Sequence, residues 1–316
     1  YGNTANGFSS LGSNKIGNGN VALGAFALKS NENADVNIGI GINSLYNNKN
    51  GRLNISIGGN SLLADTFSQN QIAIGTSALY SNSEGEENLS IGTQSMFSNT
   101  KGSYNTAVGH YSLSSTEDFL DGGNKNSALG YGTLTKNKSG NSNTALGYNA
   151  LNGNEIGNQN VAISDDALAY NKSGSGNVVI GYSALRQDTS TSNQIAIGKE
   201  ALWINEAGEN NTAIGTQAMK FNTSGSWNVA IGENNMLGDI DFPITGSANT
   251  SIGYESMKSI YSGIYNTSIG FQSLKNNADG SSNTSIGFGA MLNNLSGGQN
   301  VAVGVNALQN SINGYN

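Results

Sequence analysis

The sequence predicts an all-β protein, a parallel β-solenoid (β-roll) of about 18 coils with 17 residues per coil. Three observations predict this fold. A nine-residue phrase, NTAIGTQAM at residues 211–219, has near-copies along the whole chain, for example at 143, 266 and 300. The glycine of the phrase, which is Ser in one coil (Ser164), recurs every 17 residues, apart from two steps of 21 residues. Gly accounts for 44 of 316 residues and no segment carries a 3.6-residue apolar stripe, so helices are not expected.

Each coil is numbered from that glycine as position zero. Positions −3 to −1 alternate a β-branched, a small and a large aliphatic residue, which predicts a short strand with −3 and −1 on its buried face. Glycine at position zero suits a bend where a side chain would be in the way. Positions +1 to +5 are expected to form a second short strand that carries Leu or Met at +4 inward, and the Asn, Ser and Gly that follow turn the chain back.

Position −4 is Asn in 16 coils and Gln in two. Equivalent residues of neighbouring coils lie about 4.8 Å apart in a solenoid, so these amides are predicted to stack and to hydrogen-bond along a column. The alternative is that Asn serves there only as a turn residue. The predicted ladder comprises Asn20, Asn37, Asn54, Gln71, Asn88, Asn105, Asn126, Asn143, Asn160, Asn177, Gln194, Asn211, Asn228, Asn249, Asn266, Asn283 and Asn300.

One aliphatic side chain at −1 and one at +4 make a thin core for each coil, because every residue that is ordered loses backbone entropy. Columns of small residues at −2 and +3 are expected to let another chain approach closely. These two features predict an oligomer, most simply a parallel homotrimer that is either intertwined or packed side by side.

The two long coils, residues 109–129 and 232–252, start 123 residues apart, and the phrase NQIAIG at 70 and 193 shows the same interval. Residues 1–316 are therefore predicted to form a single β-roll domain with a super-repeat of seven coils. The extra residues of the long coils lie in 114–125 and 237–248, and each contains Asp followed by Phe. We expect protruding loops there, with Asp118, Phe119, Asp241 and Phe242 as candidate binding residues. The alternative is that the extra residues relieve twist that accumulates along the solenoid, or that they are inherited without a binding role.

Composition disfavours several classes of function. There is no Cys, the net charge is −7, and no apolar run reaches the length of a membrane span. Nucleic acid, anionic membrane surfaces and membrane insertion are therefore not expected. No metal or cofactor is predicted, because the acidic clusters lack a ligand-spacing motif.

No catalytic residue is predicted, and the chain is not expected to be an enzyme. His110 is the single His, which excludes a repeated His-based site. Two groups of acids leave a polysaccharide depolymerase open as an alternative, although solvated turn acids are the favoured interpretation. These acids are Glu117, Asp118, Asp121, Asp165 and Asp166. Ice binding through Thr at −3 is a further alternative, but Thr alternates irregularly with Val and Ile and is expected to share the buried face of −1.

The phrase NTAIGTQAM resembles the head repeat of trimeric autotransporter adhesins, N-S-V-A-I-G-x-x-A, and the longer NTAVGYxAL repeats of bacterial surface and phage tail-fibre proteins. The resemblance covers nearly the whole chain. It implies a trimeric, left-handed parallel β-roll that serves attachment, with Asn at −4 starting the strand and Gly at zero ending it. The 17-residue coil is longer than that of the adhesins, and their stalk and membrane anchor and the fibre chaperone are not found in this sequence.

The function expected from the repeat and the resemblance together is a structural and adhesive segment of an extracellular fibre. Its carrier would be a bacterial cell surface or a virion. Its partners would be further copies of itself, as a homotrimer, and a host or environmental surface that offers a glycan or protein receptor. A pure spacer shaft is the alternative in which the loops bind nothing.

Overall fold

The computed structural model describes residues 2–115 and 123–314. The chain divides into two compact units, Tyr1–Gln159 and Asn160–Asn316. Within the described ranges every regular element is a β-strand and no helix occurs. The prediction of an all-β protein is therefore confirmed, and no helix of the described residues is long and apolar enough to cross a membrane.

The first unit contains nine strands in its described residues, each three residues long and one coil apart. They are β1 (Thr4–Asn6), β2 (Val21–Leu23), β3 (Ile38–Ile40), β4 (Ile55–Ile57), β5 (Ile72–Ile74), β6 (Leu89–Ile91), β7 (Thr106–Val108), β8 (Ser127–Leu129) and β9 (Thr144–Leu146). Consecutive strands pair in parallel and in register, so that Ala73 of β5 lies opposite Ser90 of β6. Each coil is thus one turn of a solenoid.

The second unit contains nine strands of the same kind in its described residues. They are β10 (Val161–Ile163), β11 (Val178–Ile180), β12 (Ile195–Ile197), β13 (Thr212–Ile214), β14 (Val229–Ile231), β15 (Thr250–Ile252), β16 (Thr267–Ile269), β17 (Thr284–Ile286) and β18 (Val301–Val303). Pairing is again parallel and in register across the long coil, where Ala230 lies opposite Ser251. The β-solenoid prediction is confirmed for both units.

The expected second strand at +1 to +5 is wrong, because this stretch is a run of turns. In the coil of Gly75, Ser77 at +2 and Leu79 at +4 both have left-handed backbone, with φ of 55° and 49°. The N–H of Ala78 donates to the carbonyl of Gly75 at 3.3 Å and closes a turn. The left-handed residues make the backbone turn more sharply than a strand would. The Leu79 side chain still lies inside the coil, as predicted, with no exposed surface.

The direction of the strand side chains is the reverse of the prediction. The middle residue, −2, is buried in β2 to β18, whereas the flanking −3 and −1 residues are half-buried or exposed. The interior is narrow: a Cβ added to Gly39 at −2 would lie 3.2 Å from Cγ of Leu28 in the preceding coil. Small residues predominate opposite Leu or Met, with Val179 the largest at −2, so the columns at −2 and +3 form the core and do not face another chain. Thr at −3 likewise faces outward.

The glycine at position zero has the predicted role at the corner. Gly75 has φ of +134°, and a Cβ on it would lie 2.5 Å from the carbonyl oxygen of Gly92 in the next coil. Any side chain would therefore meet backbone that has no room to move. Ser164 is the exception to glycine in this column, and its φ of 105° is strained for a residue with a side chain.

Candidate functional site

The insertion of the second long coil, residues 237–248, forms an ordered loop on the side of the second unit. The N–H of Asp239 donates to the carbonyl of Phe242 at 3.2 Å, and the N–H of Asp241 donates to Asp239 Oδ1 at 3.0 Å. Ile244 is fully buried and pairs with Asn222 of the preceding coil. The loop is therefore tied down at its base and by its own turn, while its tip stays exposed.

A cleft of about 590 Å³ lies between this loop and the two coils that follow. Its walls combine apolar and aromatic groups with carboxylates, an ammonium and a hydroxyl. The lining residues are Leu237, Gly238, Asp239, Phe242, Lys258, Ser259, Tyr261, Ala278 and Asp279. A concave apolar surface with a few convergent polar groups is the usual form of a small-molecule binding site.

The charged groups of the cleft are held in place by neighbours. Lys258 Nζ lies 2.7 Å from Glu255 Oε1, and Lys275 Nζ lies 2.7 Å from Glu255 Oε2. The hydrogen bond from Lys258, and then that from Lys275, lowers the pKa of Glu255 to about 2. On the opposite side, the Ser262 hydroxyl donates to Asp279 Oδ1 at 2.8 Å. Lys258 therefore stays paired and keeps its position at neutral pH.

The structure places the four predicted loop residues differently. Phe242 lines the cleft, and its ring meets that of Tyr261 edge to face at a centroid distance of 6.3 Å. Asp241 is exposed beside the cleft without lining it. Asp118 and Phe119 lie outside the described residues.

Sequence reasoning missed the groups that complete the cleft, Lys258, Tyr261 and Asp279. They come from the next two coils, one or two repeat lengths downstream of the loop. The 17-residue repeat was the available signal, because in-register stacking places each residue beside its equivalents in the adjacent coils. The same stacking that predicts the amide column also brings these two coils beside the loop.

The amides at −4 form a continuous buried column within each unit. The Oδ1 of Asn37 accepts from the backbone N–H of Asn54 at 3.0 Å. Its Nδ2 donates to the carbonyl of Gly51, position +10 of the same coil, at 2.8 Å. At the Gln rungs, the N–H of Asn88 donates to Gln71 Oε1 at 3.2 Å. Each side chain thus bonds both along the column and across its own coil.

A second buried polar column, at +7, was not predicted, because those Asn residues were assigned to turns. Asn99 is typical: its Nδ2 donates to Asn82 Oδ1 and to the carbonyl of Gly102, both at 3.0 Å. The buried amides and acids of this column are Asn31, Asn48, Asp65, Asn82, Asn99, Asn137 and Asn154 in the first unit, and Asn171, Asp188, Asn205, Asn222, Asn277 and Asn294 in the second. The recurrence of Asn at +7 was the available signal.

Among the buried residues of this column that the structure describes, Asp replaces Asn at Asp65 in the first unit and at Asp188 in the second. Burial raises the pKa of Asp65 to about 6, against hydrogen bonds from Ser68 that lower it. Burial also raises the pKa of Asp188, against hydrogen bonds from Thr191. In residues 2–115 and 123–314 no group of three or more His, Asp or Glu residues could hold a metal ion.

The remaining chemical candidates are dispersed. His110 is exposed at +1 of its coil. Asp166 forms an ion pair with Arg186 at 3.5 Å, and the backbone carbonyl of Asp165 accepts from Ser183 N–H. Glu117 and Asp121 fall outside the residues that the structure describes.

No protein-family model matches this chain, and no curated protein matches it. The fold defines the class, a parallel β-solenoid repeat protein, and the function rests on the surfaces described above.

Proposed function

We propose that this chain is a structural and adhesive segment of an extracellular fibre, which assembles by self-association of its strand face. The observation that carries the proposal is the outward direction of the −3 and −1 side chains. In the second unit, Ile252, Ile269 and Ile286 are 38%, 39% and 37% exposed, although Ile is among the residues most often buried. They form one column on the outer face of β15 to β17.

The strand face is also free of charge. Positions −3 and −1 carry no charged residue in any of the 18 coils, although the chain has 35 Asp, Glu, Lys and Arg residues. Depletion of charge is typical of the core of a protein interface. A contiguous apolar stripe of this kind marks an interaction surface.

A second copy of the chain is the occupant that fits this face. Its side chains repeat at the spacing of a parallel sheet, about 4.8 Å per rung. Another chain with the same repeat can place an aliphatic side chain opposite each strand of this face. A second copy of this chain has that repeat. A parallel homotrimer, intertwined or side by side, closes such faces around one axis.

The attachment function and the location are supported by the sequence and by the loop. The repeat resembles those of bacterial surface adhesins and phage tail fibres, which favours an extracellular site on a cell surface or a virion. The cleft of the second long coil presents Phe242 to solvent on a scaffold held by two amide columns. Loops on such a rigid scaffold are the usual sites of recognition.

Self-association is tested by replacing the exposed Ile column with lysine. In sedimentation equilibrium of the full chain, the wild type is expected at the mass of a trimer. Ile252→Lys, Ile269→Lys and Ile286→Lys together should give monomers, because lysines buried without partners oppose association. The matched control carries Ile156→Lys, Leu295→Lys and Ile312→Lys, three exposed positions in the turns at +8 and +9. A folded wild-type monomer, or a trimer in both triple variants, contradicts the proposed assembly.

Attachment is tested separately with beads coated with the wild-type chain on a panel of bacterial and epithelial cells. Retention above that of beads coated with an unrelated protein of equal charge supports an adhesive segment. Absence of retention supports the spacer shaft.

One observation also favours ice binding as a second candidate. Thr250, Thr267 and Thr284 occupy −3 on three consecutive strands, and this position faces outward. The expectation that Thr shares a buried face therefore no longer opposes this function. Thermal hysteresis of the wild-type chain, lost on Thr267→Leu, would support it.

A further inference from the structure

We propose that the cleft beneath loop 237–248 binds a saccharide ring of a neutral glycan. The inference rests on the proposed function, since it names what an attached surface would offer. It is carried by three properties of the cleft, namely its size and aromatic wall, its polar groups, and its difference from a stacked column of aromatic rings in the same unit.

The cleft has the size and walls of a small-ligand site. Its volume of about 590 Å³ lies within the range of ligand pockets. Phe242 is 66% exposed, yet its ring is set by the edge-to-face contact with Tyr261 and by the buried Ile244 two residues later. An exposed aromatic ring in a fixed position offers an apolar face to a ligand at little cost in side-chain entropy.

The charged groups of the cleft oppose an anionic ligand and offer both acceptors and donors of hydrogen bonds. Asp239 and Asp279 are acceptors, while Lys258 and Ser259 are donors. An anion would be opposed by the carboxylates of Asp239 and Asp279, whereas Glu255, at 2.7 Å, already neutralises the Lys258 ammonium. Sugar hydroxyls donate to carboxylates and accept from ammonium, and the C–H face of the ring packs against an aromatic side chain. A neutral sugar therefore satisfies both signs of charge and the Phe242 ring.

Another aromatic surface of this unit, the column of rings at +1, lacks these properties. Tyr254, Phe271 and Phe288 form a stacked column with ring centroids 5.2 Å apart and interplanar angles of 19° and 4°. Each ring covers the face of the next, so the inner faces are not open to a sugar. Phe288 is 53% exposed and is therefore a matched control for Phe242.

The test measures binding of the full chain to an array of printed neutral, sialylated and glucosamine-containing oligosaccharides. The wild type is expected to bind neutral members. Phe242→Ala should weaken that binding about tenfold or more, because the apolar contact is lost. Asp239→Asn with Asp279→Asn should weaken it as well, since charge-assisted hydrogen bonds are removed. Phe288→Ala should leave it unchanged, and circular dichroism checks that each variant is folded.

Three outcomes would overturn the inference. They are binding to no array member, a preference for the sialylated or glucosamine-containing members, and equal loss of binding in Phe242→Ala and Phe288→Ala. Failure here is distinguishable from failure of the proposed function. A wild-type chain that forms trimers and retains beads on cells, yet binds no neutral glycan, is an adhesive fibre segment without this site.

Discussion

Asp65 in the first unit and Asp188 in the second occupy the same position of the coil, +7, and lie 123 residues apart. Each replaces an Asn of a buried amide column, and each is followed at +10 by a hydroxyl residue in place of the usual Gly, namely Ser68 and Thr191. Their hydrogen bonds differ. Asp188 Oδ2 accepts from the Thr191 hydroxyl and from Asn205 Nδ2, the latter at 3.3 Å. Asp65 Oδ2 has no partner among the described residues.

The difference follows from the side chain at +10. The β-branched Thr191 is restricted at χ1, and its hydroxyl is directed at the carboxylate of its own coil. Both hydroxyl oxygens accept from the Asn of the next coil, Ser68 Oγ from Asn82 Nδ2 at 3.1 Å and Thr191 Oγ1 from Asn205 Nδ2 at 2.8 Å. Ser68 has freer rotation, and Asp65 Oδ2 receives no hydrogen bond from it. The methyl group that Thr191 has and Ser68 lacks therefore accounts for the difference between the two buried carboxylates. Asp188 has donors on both oxygens, whereas Asp65 has one unpaired oxygen. Asp in place of Asn at +7 is therefore expected to lower the free energy of unfolding more in the first unit than in the second.

The largest expected effect comes from replacing the buried Asp at +7 by the Asn that is usual at this position. Asp65→Asn should raise the free energy of unfolding at pH 8 by up to roughly 3 kcal/mol, the equivalent of the elevated pKa of about 6. Asp188→Asn should raise it by less, because that carboxylate already has donors on both oxygens. Urea denaturation of the two variants checks this order. A larger gain at Asp188 would show that the unpaired oxygen of Asp65 is not the cause.

The second-largest expected effect comes from removing the Thr191 hydroxyl, which distinguishes the hydrogen bonds of Asp188 from those of Asp65. Thr191→Val keeps the shape of the side chain and takes a donor from Asp188, which should lower the free energy of unfolding by about 1–3 kcal/mol. Ser68→Ala is the control and should cost less, since Asn82 Nδ2 still donates to the carbonyl of Gly85 at 3.0 Å. Equal losses in urea denaturation at pH 8 would contradict the comparison.

The smallest effect is the pH dependence of the wild type. Because the folded pKa of Asp65, about 6, lies above the ordinary value of 3.8, the stabilisation by protonation is complete below 3.8 and is lost as pH rises through 6. Between pH 8 and pH 5 this gives a gain of about 1.4 kcal/mol on acidification. Stabilisation from the lowered pKa of Glu255 is lost only as pH falls from 4.5 towards 2.

The matched measurement is the same pH series on Asp65→Asn. Subtracting its profile from that of the wild type removes the contributions that the two proteins share. A difference that stays flat between pH 8 and pH 5 would show that Asp65 does not titrate in this range.

Much of the coil could be predicted from particular residues. Gly75 and its equivalents stand where a Cβ would meet the next coil, and Leu79 and Met96 at +4 are buried as expected. The direction of the strand could not be predicted in the same way. Alternation of Ile72, Ala73 and Ile74 shows that neighbours face opposite sides, but it does not say which side is inside.

The candidate site was predicted only in part. Phe242 was expected to be exposed on a loop, and it is. Its partners Lys258 and Asp279 are far along the chain and reach the cleft only through stacking. The buried Asp65 could not be distinguished from a turn acid, because Asn and Asp are frequent both in turns and in the +7 column.

By itself, the sequence determined the period of this protein, and with it the length of the coil, the parallel pairing and the in-register stacking of like residues. Only the tertiary structure decided which columns form the core. A coil of 17 residues encloses room for one Leu or Met, small residues and two amides. The larger aliphatic groups at −3 and −1 are therefore left on the outside, where they form the uncharged face on which the proposed assembly depends.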